Sequence, residues 1–147
     1  MTSRRNARHS RRGFTLIELM LVVTLIAIIM GIAIPSMIES KKRGNECSAI
    51  STMRTLSTAE LQYRIRYGTY GTLADLVGAG SMDDSFSDGE KSGYAFASAA
   101  PTTSTWSVTA SPATGLITGD RHFLVDESGV IRFSETGPQA PTDTPVD

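Results

Sequence analysis

The feature that most constrains this chain is a long apolar segment close to its N-terminus. From residue 14 to residue 34, every side chain is apolar or small except those of Thr15, Glu18 and Thr24. As an α-helix this segment would extend about 31 Å, which matches the roughly 30 Å thickness of the hydrocarbon core of a bilayer. A lone carboxylate in lipid costs about 2.5 kcal/mol or more, so the sequence predicts that Glu18 has a partner.

Basic residues on both sides of this segment predict its orientation. The side chains that precede it are Arg4, Arg5, Arg8, Arg11 and Arg12, and those that follow it are Lys41, Lys42 and Arg43. The excess on the N-terminal side favours an N-terminus in the cytoplasm, with the rest of the chain across the membrane.

Three other interpretations of the segment remain open. A secretory signal peptide has an apolar region of about 7–15 residues, shorter than this one, although residues 31–33 resemble a small-residue cleavage site. A twin-arginine export signal would explain Arg11 and Arg12 but would leave Glu18 without a purpose. A plain single-pass anchor leaves the cost of Glu18 unexplained.

Residues 11–18 read Arg-Arg-Gly-Phe-Thr-Leu-Ile-Glu and open the apolar run. This pattern resembles the prepilin signal of type IV pilins and of the pseudopilins of type II secretion. The resemblance implies cleavage between Gly13 and Phe14 by a membrane-embedded prepilin peptidase, which would also N-methylate the new Phe14 amine. Glu18 would then be the fifth residue of the mature chain, where this family has its acidic residue. The match fades beyond Tyr67.

Glu18 has a physical role under this interpretation. A processed Phe14 carries a positive amine at a helix N-terminus, where the backbone already contributes about half a positive charge. The Glu18 carboxylate, one turn further on, could neutralise this amine or that of a neighbouring subunit. Because one register alone satisfies an intermolecular pair in an apolar bundle, we expect Glu18 to align incoming subunits.

Pro35 is expected to interrupt the helix, since it lacks the amide that would bond the Gly31 carbonyl. Glycine is itself a weak helix former, so Gly31 and Pro35 together predict a kink or local melting. Pro35 would then either end the membrane span or let the helix bend.

Composition argues against several classes of function. Residues 1–13 are basic and the remainder is acidic, although the net charge of the whole chain is −1, and an acidic body argues against general nucleic-acid binding. Cys47 is the single cysteine, so no intramolecular disulfide is possible. The two histidines, His9 and His122, belong to no recognisable nucleophile–base pair. The sequence also contains no recognisable cofactor-binding fingerprint or zinc-ligand spacing. We therefore expect a non-enzymatic protein without a cofactor.

An acidic loop within residues 77–91 is the remaining candidate for a metal site. Its carboxylates are Asp83, Asp84, Asp88 and Glu90. Phe86 stands where a calcium-loop pattern needs Asp or Asn, which favours a solvated loop without metal.

The pattern beyond the anchor predicts an α+β fold. A helix is expected to continue to Tyr67 and to pack one face on a sheet; that face comprises Ala49, Met53, Leu56, Glu60, Tyr63 and Tyr67. Ile50, Leu61 and Ile65 lie off this face and would contact sister helices. About four antiparallel strands are expected, at residues 93–97, 106–110, 122–125 and 130–133.

The expected organisation has five parts. They are a basic leader (1–13), a transmembrane and assembly half of the helix (14–38), an amphipathic half (39–67), a loop plus antiparallel sheet (68–135) and a flexible tail (136–147). The tail has three prolines and no apolar pattern.

The resemblance implies a structural subunit of a type IV pilus-like filament. A pseudopilin of type II secretion is the alternative, as is a minor pilin that binds surfaces or DNA. The implied partners are further copies of the chain in a helical filament, the prepilin peptidase and methyltransferase, and an inner-membrane assembly platform. The chain would sit in the inner membrane before assembly and in a periplasmic or cell-surface filament afterwards.

Overall fold

The structure is a computed structural model that describes residues 13–83, 86, 88–135, 137 and 143–146. Residues 1–12 of the expected leader lie outside the described residues. The chain forms two compact units, residues up to Met37 and residues from Ile38 onward. One helix, α1 (Leu16–Tyr67), contributes its N-terminal part to the first unit and its C-terminal part to the second.

The first unit consists, in its described part, of the start of α1 and the residues just before it. Its side chains are exposed, and an 18-residue window has a mean hydropathy of 2.8. This helix is therefore long and apolar enough to cross a membrane.

The expected interruption of the helix at Pro35 is wrong. Pro35 lies inside α1, and the residues from Gly31 to Pro35 are all helical. Proline deletes a single main-chain hydrogen bond, and the other main-chain bonds of a helix of 52 residues carry α1 past the gap. A kink at Gly31 and Pro35 stays a prediction.

The second unit contains an antiparallel sheet of six strands in sequential order. The strands are β1 (Glu90–Lys91), β2 (Tyr94–Ser98), β3 (Ser107–Pro112), β4 (His122–Asp126), β5 (Ile131–Ser134) and β6 (Thr144–Pro145). The four central strands confirm the α+β prediction. The count of about four was too low, because a strand of two residues shows no alternating pattern. β6 also places a paired segment within residues 136–147, where no strand was expected.

The second half of α1 packs on the sheet through the predicted face. Its buried members are Ala49, Met53, Leu56 and Glu60, and the three apolar ones share one core with Val108, Phe123 and Val125 of the sheet. Tyr63 is partly buried, but Tyr67 is 51% exposed, contrary to prediction. The reason is that α1 ends at Tyr67, followed by Gly68 with a φ of 75°, a conformation that turns the chain out of the helix.

A short helix, α2 (Leu73–Gly78), lies in the connection where the sequence predicted only loop. Thr72 caps it: the Asp75 amide donates to the Thr72 hydroxyl, and the Asp75 carboxylate accepts from the Thr72 amide at 2.8 Å. Tyr70 and Leu76 are buried, so this connection is held on the core.

A polar cluster fastens the turn before β4 to α1. The Asp120 amide donates to Glu46 at 3.1 Å, and the Arg121 guanidinium lies 3.0 Å from the other Glu46 oxygen. Lys42 binds the Asp120 carboxylate at 2.9 Å. Glu46 is 5% exposed, and these contacts give its buried charge both a counterion and a hydrogen bond.

Glu60 is also buried but has no cation beside it among the described residues. It is 1% exposed, and the Gly71 amide donates to its carboxylate at 3.0 Å. Burial raises the pKa of the Glu60 carboxyl above its ordinary value, and the negative charge of Asp75 adds to this rise, while the Gly71 hydrogen bond opposes it. The folded state thus favours the protonated form. The resulting stabilisation is present below the ordinary pKa and is lost as the pH rises through the raised pKa.

We therefore expect Glu60→Gln to become increasingly stabilising, relative to the wild type, between pH 4 and pH 8. Glutamine keeps an oxygen for the Gly71 amide and removes the buried charge. Trp106 is the single tryptophan and is 5% exposed, so its fluorescence reports urea unfolding of the second unit in detergent micelles. The exposed Glu90→Gln is the control. A difference in the free energy of unfolding between Glu60→Gln and the wild type that is independent of pH would contradict this account of Glu60.

Candidate processing and assembly site

Thr15 and Glu18 form a reciprocal cap at the first turn of α1. The Glu18 amide donates to the Thr15 hydroxyl oxygen at 3.2 Å. The Glu18 Oε2 atom accepts from the Thr15 amide at 2.9 Å and from the Thr15 hydroxyl at 2.8 Å. This arrangement is a capping box, which satisfies main-chain donors that a helix N-terminus otherwise leaves unpaired.

Thr15 is the residue of this site that the sequence argument missed. Its signal was available, since a threonine followed three residues later by a glutamate and an apolar run predicts a capping box. Glu18 therefore has a partner in its own chain. Both bonds use Oε2, however, and Oε1 accepts none from the described residues, so the carboxylate is only half satisfied.

The residues of the expected cleavage point precede the helix. Gly13 and Phe14 have no regular secondary structure and are exposed, with Phe14 89% exposed. A bond in such a segment can extend into a peptidase without unfolding the helix. Phe14 and Glu18 lie at the same end of α1, whereas Gly31 and Pro35 are more than three turns further along.

A second exposed feature runs along α1 within the second unit, on the side away from the core. We call it the outer stripe; its members, at alternating steps of four and three, are Cys47, Ser51, Arg54, Thr58, Leu61 and Ile65. Leu61 and Ile65 are 55% and 79% exposed, which agrees with their expected place off the packed face. Ile50 was expected with them but packs partly against the core, and that expectation is wrong.

The other polar residues singled out from the sequence belong to the second unit or lie outside the described residues. The His122 ring lies 3.2 Å from the Ser111 hydroxyl. Within the described residues, no group of three or more histidine, cysteine or acidic side chains is placed to hold a metal ion. His9 and Asp84 lie outside the described residues.

Comparison with known proteins places these features in a family. Residues 8–34 match the family model described as the prokaryotic N-terminal methylation motif. The chain is 40% identical over 76 residues to the type IV major pilin protein PilA of Myxococcus xanthus, an alignment covering 52% of this chain and 34% of that pilin. It is 28% identical over 92 residues to the type II secretion system core protein G of Escherichia coli, covering 60% and 63%.

A third relative is the competence protein ComGC of Halalkalibacterium halodurans, which is 31% identical over 69 residues, 47% of this chain and 68% of that protein. The chain belongs to the family of type IV pilins and pseudopilins that carry the N-terminal methylation motif. It spans about a third of the PilA relative and less than two thirds of protein G.

We expect Thr15→Val to loosen the first turn of α1, because valine has the same shape but no hydroxyl to accept from the Glu18 amide. Loss of such a cap costs about 1 kcal/mol, or roughly a fivefold faster exchange of the Glu18 and Leu19 amides with deuterated solvent in micelles. Thr15→Ser should stay close to the wild type. Thr24→Val is the matched control, since the Thr24 hydroxyl only bonds the Met20 carbonyl within the helix. Equal exchange rates of the Glu18 and Leu19 amides in Thr15→Val and Thr24→Val would disprove the cap.

Proposed function

We propose that the chain is a structural subunit of a type IV pilus-like filament, cleaved between Gly13 and Phe14 and polymerised through the N-terminal part of α1. One observation carries this proposal: α1 begins with a capped glutamate at the head of an apolar surface that no described residue covers. Family membership supports a structural role over a catalytic one.

The apolar part of α1 requires two successive environments under this proposal. Large exposed side chains occur on every side of the helix between Leu16 and Met37. A helix that is apolar all round is stable in lipid or among other apolar helices. The single span would hold the subunit in the inner membrane, with its N-terminus in the cytoplasm. In the filament, the same surface would be covered by other copies.

Glu18 would supply the register that apolar contact lacks. Its Oε1, which accepts no bond from the described residues, is about one turn from the Phe14 position, where processing by the prepilin peptidase would create a positive amine. A neighbouring copy whose Phe14 amine reaches Glu18 completes the half-satisfied carboxylate. A misplaced copy leaves both charges unpaired in an apolar bundle.

The outer stripe extends this contact into the second unit. Ser51 and Thr58 are small enough to let another helix approach closely, and Leu61 and Ile65 present apolar side chains at the far end. An inner-membrane assembly platform would deliver subunits to this interface.

A pseudopilin of type II secretion is the second candidate. The longer alignment with protein G, which covers 63% of that relative, favours it. Electron microscopy of cells with and without this chain distinguishes the two, because a pilus extends from the surface at ordinary expression and a secretion pseudopilus is expected to stay periplasmic.

Processing can be tested by mass spectrometry of the protein isolated from its host. We expect a mature chain that starts at Phe14 with one added methyl group on its amine. Gly13→Leu should keep the leader, since a bulky residue before the cleaved bond blocks close approach by the peptidase. A mature N-terminus near Ile34 would instead establish an export signal and contradict the proposal.

Assembly can be tested with Glu18→Ala. The variant should be processed and remain in the membrane, yet filaments recovered by shearing should fall by about tenfold or more, the loss expected for one ion pair in an apolar setting. Glu39→Ala, which removes an exposed glutamate of the same helix, should assemble normally. Abundant filaments from Glu18→Ala would contradict the proposed register.

A further inference from the structure

A groove on the second unit lies between α1 and the turn that joins β4 to β5. It has a volume of about 230 Å³, and its lining includes Ser57, Leu61, Tyr70, Trp106, Glu127 and Gly129. The turn comes close to the helix here, since a Cβ atom on Gly129 would lie 3.8 Å from the Ser57 hydroxyl oxygen. The Tyr70 and Trp106 rings, whose centroids are 6.0 Å apart, give the groove apolar walls together with Leu61.

Glu127 gives the groove a negative charge. Glu127 is exposed and makes no ion pair with any described residue. A carboxylate beside apolar walls suits an arginine, because the walls cover the aliphatic stem while the planar guanidinium binds the carboxylate through two donors.

The outer stripe of α1 carries a matching positive charge. Arg54 is exposed, lies between the small residues Ser51 and Thr58, and has no ion-pair partner among the described residues. Arg54 makes no ion pair with Glu127 of the same chain in this structure. A second chain that packs on the outer stripe would bring an arginine and an acidic groove together from different copies.

We propose that this groove binds Arg54 of a second copy of the chain, an inference that rests on the filament function proposed above. If the Phe14 amine of one copy is level with Glu18 of the next, the two copies are displaced from each other by the length of four helical residues, about 6 Å along the helix axis. A helical assembly displaces every atom from its equivalent by the same axial distance. Where α1 follows the filament axis around residue 54, the displaced Arg54 is level with Thr58, beside the groove-lining Ser57.

This pairing sets the same register as Glu18 by independent means. An arginine that enters the groove buries its aliphatic stem and forms an ion pair with the Glu127 carboxylate. A copy displaced by another helical turn would place a small hydroxylated residue in the groove instead. Charges at the edge of an interface act in this way chiefly on partner alignment and on association rate.

A charge exchange tests the contact. Arg54→Glu and Glu127→Arg should each reduce filament yield by about tenfold or more, because each places like charges together at the interface. The double variant restores opposite charges and should recover to within about twofold of the wild type. Glu90→Arg, which reverses an exposed acid on β1, is the matched control and should assemble normally.

Two measurements separate this contact from other defects. Mature N-terminal mass and urea unfolding followed by Trp106 fluorescence should be unchanged in all four variants, since every substituted side chain is exposed. Single variants that assemble as well as the wild type, or a double variant as poor as the singles, would overturn the pairing and leave the filament function intact. A processed wild-type chain that forms no filament would contradict the filament function and the pairing together.

Discussion

The uncovered apolar surface at the start of α1 is the constraint on which the rest of the molecule depends. None of the most apolar window of this helix is buried against the described residues of the chain. Removing apolar surface from water is worth about 25 cal/mol per Å², so this surface has to be covered by lipid or by other proteins. Lipid tails and apolar side chains cover it about equally well. Apolar burial therefore holds the subunit in either environment without specifying an alignment, and polar groups have to supply the alignment.

The three acidic side chains along α1 that are capped or buried differ in how completely their carboxylates are paired and hydrogen-bonded. Glu46 has both a counterion, Arg121, and an amide donor, and it fastens the sheet to the helix. Glu60 has an amide donor alone, so its ionised form opposes folding. Glu18 accepts two bonds on one oxygen and none from the described residues on the other. A carboxylate that is already satisfied strengthens a fold, whereas one that is half satisfied can still gain from a partner outside the chain.

Features with a strong local signal were predictable from the sequence. The face from Ala49 to Glu60 repeats with helical spacing and was expected to pack on the sheet, and Phe123 and Val125 are two residues apart in a predicted strand, which places them on one face. The edge strands β1 and β6 were not, because two paired residues leave no periodic signal. The continuity of α1 through Pro35 depends on a long helix outweighing one missing hydrogen bond, a balance that single-residue rules do not weigh.

The candidate site divides in the same way. Its acidic residue, Glu18, and its proposed cleavage point follow from the pattern at residues 11–18, whereas the packing of the β4–β5 turn near α1 places Glu127 and Ser57 on one groove although they are far apart in the sequence. No local pattern encodes such packing. The groove, and with it the role proposed for Arg54, depends on how the sheet packs on the helix.

The cap on Glu18 resolves a conflict between its two environments. A subunit has to reside in lipid before assembly, where an unsatisfied carboxylate costs about 2.5–3.5 kcal/mol. A carboxylate fully satisfied by its own chain would remove that cost, but it would gain nothing from a neighbour and would set no register. Thr15 satisfies one oxygen and so reduces the cost of residence in the membrane, while the other oxygen, which accepts no bond from the described residues, would receive the amine of a neighbour in the proposed filament. Under the proposed function, partial satisfaction would permit the same glutamate to tolerate the membrane and to discriminate between registers.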